Sequence, residues 1–256
     1  MLFRSTTGLS IGSFSVIVTD INGCTDTSVS VAMTQPDSLY ILSITSTDVL
    51  CNGGNDGTAT VNASGGVLQY SYLWSNGAMT QTANMSAGNY SVDVTDFNGC
   101  LVSASIVVNE PAALVTDSFV MDSVFCFGFS DGSATAYVSG GITPYTYLWN
   151  NGDNTAFADS LDAGYHIITI TDFNNCVHTD SVEVLEPAAP VSIDSLIVAQ
   201  ISCKDASNGS IVVLATGGIP SYVYSKDGGN TYQTAIGFIG LSPATYNIVV
   251  KDNKGC

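Results

Sequence analysis

The residues in this chain best suited to chemistry are its seven cysteines, Cys24, Cys51, Cys100, Cys126, Cys176, Cys203 and Cys256. In a chain where only 11% of residues are charged, that number points to disulfides formed in an oxidising compartment. Zinc is a poor alternative, because no C-x-x-C pair occurs and the only histidines are His166 and His178. Oxygen ligands for calcium could come from the acidic turns, with Asp56, Asp96, Asn98, Asp131, Asp172 and Asn174 as candidates. The same residue types beside glycine are ordinary tight-turn chemistry, in which the side chain bonds its own backbone, and no EF-hand spacing is present. Turns are therefore the expected role, with no cofactor. Trp74 and Trp149, beside Tyr72 and Tyr147, could stack on sugars, but a Trp on the third strand of a sandwich commonly fills the core. Catalysis requires a nucleophile, a base and an orienter that converge. Neither histidine recurs at equivalent positions, and acidic pairs such as Asp159 and Asp162 are commonplace in this composition, so no enzyme is expected.

Behind these residues lies a repeat. Phe14 to Cys24 (FSVIVTDINGC) returns as YSVDVTDFNGC at Tyr90 to Cys100, as HIITITDFNNC at His166 to Cys176, and as YNIVVKDNKGC at Tyr246 to Cys256. Asp20, Asp96, Asp172 and Asp252 mark offsets of 76, 76 and 80. A second block begins at Cys51, Cys126 and Cys203, at offsets of 75 and 77. Pro36, Pro111 and Pro187 end successive repeats, since proline cannot continue a central strand. This register gives complete repeats at 37–111 and 112–187, a repeat at 188–256 without its last strand, and a C-terminal remnant of a repeat at 1–36. Such a segment is expected to belong to a longer array, with natural capping by shortened edge repeats as the alternative. Residues 1–12 lack the regions of a signal peptide, so export signals are expected elsewhere.

Short apolar alternations bounded by Gly, Asn and Asp predict strands throughout and no helices. The expected fold is all-β, a tandem series of immunoglobulin-like β-sandwich repeats of about 76 residues with about seven strands each. Val92 and Val94, Ile168 and Ile170, Ile248 and Val250, and Val16 and Val18 should face the cores at period two. Tyr90 and Tyr246 sit where such sandwiches carry a tyrosine corner. In the second repeat His166 takes that place after Tyr165, so the corner is either shifted by one residue or its hydrogen bond is lost.

The surface this composition implies is polar and acidic, with 22 acidic residues against five basic ones and a net charge of -17. Nucleic acid is excluded as a partner, because phosphate neutralisation needs clustered Lys and Arg. No apolar run is long enough to cross a membrane as a helix.

The run Cys51-Asn52-Gly53-Gly54-Asn55-Asp56-Gly57, then Gly65-Gly66, Tyr70-Ser71-Tyr72-Leu73-Trp74 and Asp96-Phe97-Asn98-Gly99-Cys100, closely resembles the SprB-type repeat of large cell-surface adhesins in gliding bacteria. The second repeat adds Gly140-Gly141-Ile142-Thr143-Pro144-Tyr145, while the third departs, with Lys226-Asp227-Gly228-Gly229 where the others carry Trp. The resemblance implies export by the type IX route and surface display as an extended stalk or multivalent adhesin. Its partners would be neighbouring repeats and surface glycans or other cells. A carbohydrate-binding accessory region of a secreted enzyme is the competing reading.

For the cysteines, the leading expectation is pairing within repeats: Cys51 with Cys100, Cys126 with Cys176 and Cys203 with Cys256, leaving Cys24 unpaired. A standard sandwich places the two cysteines of a repeat at opposite ends, beyond the roughly 7 Å between Cα atoms that a disulfide tolerates. End-to-end stacking would instead bring Cys51 near Cys176 and Cys126 near Cys256. Free thiols, or Cys100 with Cys126, complete the possibilities.

Overall fold

The computed structural model describes residues 7–204 and 206–256. Residues 1–6 of the expected remnant lie outside the described residues. The chain forms two compact bodies, Met1–Glu110 and Pro111–Cys256.

In the first body, β1 (Gly12–Phe14), β2 (Ile17–Thr19), β3 (Thr25–Thr27) and β4 (Val31–Met33) form two short antiparallel ladders, β1 with β4 and β2 with β3. Val16 and Val18, expected in a core, are 62% and 63% exposed. Period-two alternation gives them a common face, but burial needs a second sheet against that face, and none among the described residues covers these ladders.

The complete repeat that follows consists of β5 (Tyr40–Thr47), β6 (Gly57–Ser64), β7 (Ser71–Trp74), β8 (Thr82–Met85), β9 (Gly88–Thr95) and β10 (Leu101–Val108). These six strands form two antiparallel three-stranded sheets, ordered β5-β6-β8 and β10-β9-β7. The count falls short of the expected seven because the polar stretch after Trp74 turns back at once. The N–H of Trp74 donates to Ala78 O, its indole Nε1–H donates to Thr80 O, and only 82–85 are left to pair with β6. Alternation along β6 buries Gly57, Ala59 and Val61. These small residues let the sheets approach, so that a Cβ on Gly57 would stand 2.9 Å from Val108 Cγ1. Val92 and Val94 lie opposite Trp74 and the partly buried Tyr72 and, like Trp74, are fully buried, each contributing about 1.5–3 kcal/mol through apolar burial.

The second body holds two such sandwiches, each with a separate core. The first contains β11 (Val115–Asp122), β12 (Gly132–Ser139), β13 (Thr146–Trp149), β14 (Phe157–Leu161), β15 (Gly164–Thr171) and β16 (Val177–Val184), in sheets β11-β12-β14 and β13-β15-β16. The second contains β17 (Ser192–Ala199), β18 (Gly209–Thr216), β19 (Val223–Ser225), β20 (Gly237–Leu241) and β21 (Val249–Lys251), in sheets β17-β18-β20 and β19-β21. An open cleft of about 360 Å³ runs past Leu196, Gly209, Leu241, Tyr246 and Ile248 in this last sandwich. It lies where Val184 of β16 stands against Gly132 in the preceding one. Ile248 and Val250 are accordingly only half-buried, whereas Ile168 and Ile170 are fully buried.

The tyrosine corner is present in all three sandwiches, in two chemical forms. Tyr90 and Tyr246 donate their phenolic O–H to Ser86 O (3.2 Å) and Ser242 O (2.9 Å). In the second repeat neither expected outcome holds. His166 is buried and its Nε2 bonds Asp162 O at 2.9 Å, four residues upstream as in the tyrosine cases, while Tyr165 points outward, 67% exposed. An imidazole N–H replaces a phenol O–H at the same backbone carbonyl.

Candidate functional site

Each sandwich has two chemically distinct ends, and the residues singled out in the sequence collect there. One end is closed by the buried aspartate of the repeated turn. Asp96 Oδ2 accepts the N–H of Val67 (2.8 Å) and its Oδ1 accepts that of Cys100 (2.8 Å). Asp172 does the same with Ile142, Asn174 and Cys176, and Asp252 with Ile219, Lys254 and Cys256. A single carboxylate thus fastens the β9–β10 turn, or its equivalent, to the loop entering β7. The Val67 N–H, joined by those of Cys100 and Asn98, holds Asp96 below the usual carboxylate range against the opposing effect of burial. Burial pushes Asp252 up, but the N–H groups of Ile219, Cys256, Lys254 and Gly255 outweigh it and leave the group lowered.

The Gly-Gly pairs complete this closure. Gly65 has φ 77°, and a Cβ there would fall 2.0 Å from Ser38 O. A Cβ on Gly66 would fall 2.6 Å from Asp96 Oδ2. The same contacts recur at Gly140 against Ala113 O and Gly141 against Asp172, and at Gly217 against Pro190 O and Gly218 against Asp252. The phenol of Tyr70 then donates to Gly65 O, as Tyr145 does to Gly140 O and Tyr222 to Gly217 O. Sequence reasoning missed this bond. Its signal is the constant spacing of five residues from first glycine to tyrosine, across three different intervening sequences.

The opposite end is closed by the loop that carries Cys51, Cys126 or Cys203. Asp56 accepts the N–H of Leu50, and Asp131 that of Phe125. The glutamate before each boundary proline reaches back to the same loop: Glu110 accepts the N–H of Gly53, and Glu186 that of Gly128. This second role was not read from the sequence either, although Glu-Pro recurs at both boundaries.

The calcium candidates Asp56, Asp96, Asp131 and Asp172 therefore direct carboxylate oxygens at backbone N–H groups, and Asn174 supplies such an N–H to Asp172. Among the described residues, no three His, Cys, Asp or Glu side chains gather where they could hold a metal ion. Trp74 and Trp149, the glycan-stacking candidates, are each 1% exposed in their cores. Trp149 donates its Nε1–H to Thr155 O and meets the edge of Phe119 at 6.1 Å between centroids. Neither indole presents a face to a sugar.

The within-repeat pairing of cysteines does not occur. Cys126 is bonded to Cys256 with Cα atoms 5.7 Å apart, and Cys24, Cys100 and Cys203 are exposed free thiols, whereas Cys51 and Cys176 are not free. The reason is geometric: an eight-residue strand separates the two ends of a sandwich, a span of roughly 25 Å at about 3.4 Å per residue, far beyond disulfide reach. The cysteine at the closing end of one repeat instead meets the turn cysteine at the opening end of the next. Around this bond the Lys254 ammonium lies 4.5 Å from the centroid of the Phe125 ring, and Phe127, Phe129, Pro190 and Val191 line the adjoining hollow.

Among solved structures, the chain is similar to a tetra-tandem repeat in the extending region of a large adhesion protein, with 14% identity over 98% of this chain and 80% of that chain and a TM-score of 0.29. It is similar also to extracellular domains 3–5 of Drosophila OTK, with 8% identity over 77% of this chain and 88% of that chain and a TM-score of 0.26. No curated protein matches it. The model of the SprB repeat matches at residues 43–79, 118–154 and 195–231, in each case from within the first strand, through the cysteine loop and the Gly-Gly turn, to just beyond the third strand. The chain carries SprB repeat sequence at these three places, each within an immunoglobulin-like sandwich.

Proposed function

We propose that this chain is a structural and adhesive segment of a large secreted or cell-surface protein, serving as an extended stalk or multivalent adhesin and exported by the type IX route. The observation that carries the reading is that every complete repeat closes its own core and both its own ends. Each can therefore be multiplied along an array whose properties are set by nearest neighbours. The Cys126–Cys256 bond supports an oxidising, extracellular setting, and the charge of -17 keeps a long polymer soluble and self-repelling. The rival reading, a carbohydrate-binding accessory region, loses its best residues with the burial of Trp74 and Trp149. Small-angle scattering on the chain and on a version with its repeats doubled tests the stalk: the maximum dimension should grow in proportion to repeat number, and a compact doubled protein defeats the reading. Beads coated at rising density separate stalk from adhesin. An adhesin retains cells or immobilised glycans increasingly steeply with density, and a pure stalk retains none at any density.

A further inference from the structure

We propose that the Cys126–Cys256 disulfide is a mechanical shunt, which carries tension across the junction of the second and third repeats and keeps the residues between the two cysteines out of the force path. The proposal deepens the array reading and rests on it, since a stalk or adhesin on a surface is pulled along its chain. Tension entering at Pro111 passes along β11, whose end at Asp122 lies just before Cys126. At Cys126 it has two covalent routes to Cys256. One is the backbone, with a sequence separation of 130; the other is the disulfide, with Cα atoms 5.7 Å apart. The short route becomes taut first. Strands β12 to β21, which hold nearly all of both cores, then hang in a closed loop that tension cannot lengthen.

The surroundings suit this role. Both cysteines are half-buried, with the Lys254–Phe125 contact and the side chains of Phe127 and Phe129 beside them. Cys126 is anchored through Asp131 and Glu186, which fasten Phe125 and Gly128 on either side of it. Cys256 is anchored through Asp252, which accepts its N–H. The pull therefore arrives at two turns already fixed to their sandwiches. Opening the shunt needs two electrons from an external thiol reductant. A reductant thiolate attacks one sulfur to give a mixed disulfide, a second thiolate displaces it, and the products are the Cys126 and Cys256 thiols and the oxidised reductant.

Stretching the full chain between a non-thiol handle at Ala112 and one at its C-terminal end reads the shunt directly. The oxidised chain should lengthen on unfolding by no more than β11 and its flanks allow, about 50 Å at ~3.5 Å per residue. Cys126→Ser should give about 450 Å more, the span of the hidden residues at the same rise. If Cys126→Ser folds poorly, Cys256→Ser or reduction of the folded wild-type chain while it is held supplies the same comparison. Equal lengthening in oxidised and reduced chains overturns the proposal, as does a non-reducing peptide map without the Cys126–Cys256 peptide. Because scattering and bead adhesion are measured without load on the junction, a failed shunt leaves the array reading standing and is distinguishable from its failure.

Discussion

The second and third repeats fill equivalent space with different residues. In the second, Trp149 on β13 fills the core beside Ala158 on β14 and Ala134 on β12. Strand register places Phe238 and Ile211 at the last two positions in the third, and alignment of the Tyr-x-Tyr-x-Trp run of the second with Tyr222-x-Tyr224-x-Lys226 puts Lys226 at the first. The bulk that leaves with the indole returns on the two facing strands as Phe238 and Ile211, both buried, while the Lys226 ammonium lies 5.9 Å from the Phe238 ring centroid. The turn beyond also changes. Asp227, held well below the usual carboxylate range first by the Ser225 hydroxyl and then by Thr231, organises Ser225, Asn230 and Thr231 where the other repeats use the return to the indole. The end closed by aspartate, Gly-Gly and tyrosine is the same in both. Core identity is thus negotiable as long as volume is conserved, whereas the closure of the end is not.

The largest effect that could break this comparison is loss of the main core side chain. Trp149→Ala and Phe238→Ala should each cost about 3–5 kcal/mol in the repeat that carries them, and Lys226→Ala under about 1 kcal/mol, by chemical denaturation. A costly Lys226→Ala would mean that the lysine, and not Phe238, had inherited the indole's role. Gly140→Ala and Gly217→Ala come next. Each puts a Cβ within 2 Å of a backbone oxygen at a positive φ and should cost at least about 2 kcal/mol. Gly152→Ala, at positive φ but in open space, should cost about 1 kcal/mol. Similar losses at all three glycines would show that the tight approach is not what fixes the end.

Acid should act on the shared end. Asp96 and Asp252 are lowered in the folded chain, so their stabilisation is complete above the unfolded carboxylate value of about 4 and is lost as pH falls through the folded value. Midpoints should hold steady from neutral pH to about 5 and then fall, and Asp252→Asn should flatten that fall in the third repeat. A midpoint that begins to drop near neutrality would assign the pH response to other groups. The smallest expected effect is that of chelation. With the turn carboxylates directed at N–H groups, EDTA should leave the midpoint unchanged, and a rise with millimolar calcium would place an ion at Asp56, Asp96, Asp131 or Asp172.

Features set by alternation and period were legible in the sequence. The faces of Val92, Val94, Ile168 and Ile170, the inward Trp74 and Trp149, and the repeat itself required nothing beyond neighbours along the chain. Features set by which parts meet in space were not. The exchange of Trp149 for Phe238 is visible only once β14 and β20 are seen to be equivalent, and the bond from Cys126 to Cys256 stood in the sequence only as the end-to-end alternative, because nothing local says that two repeats stack. The exposure of Val16 and Val18 belongs to the same class, because a side chain's face is local and the sheet that covers it is not. His166 shows a third limit: a histidine can take over a tyrosine's hydrogen bond, and residue type alone gave no sign that it had.

The closure of each opening end has a consequence for inheritance. Asp96, Gly65, Gly66 and Tyr70 all belong to one repeat, as do Asp172, Gly140, Gly141 and Tyr145. A duplicated or deleted stretch of coding sequence one period long leaves each sandwich with one full set of these partners, either its own or joined from the equivalents of two neighbours. Unequal recombination between neighbouring copies can therefore lengthen or shorten the array while every surviving sandwich still closes.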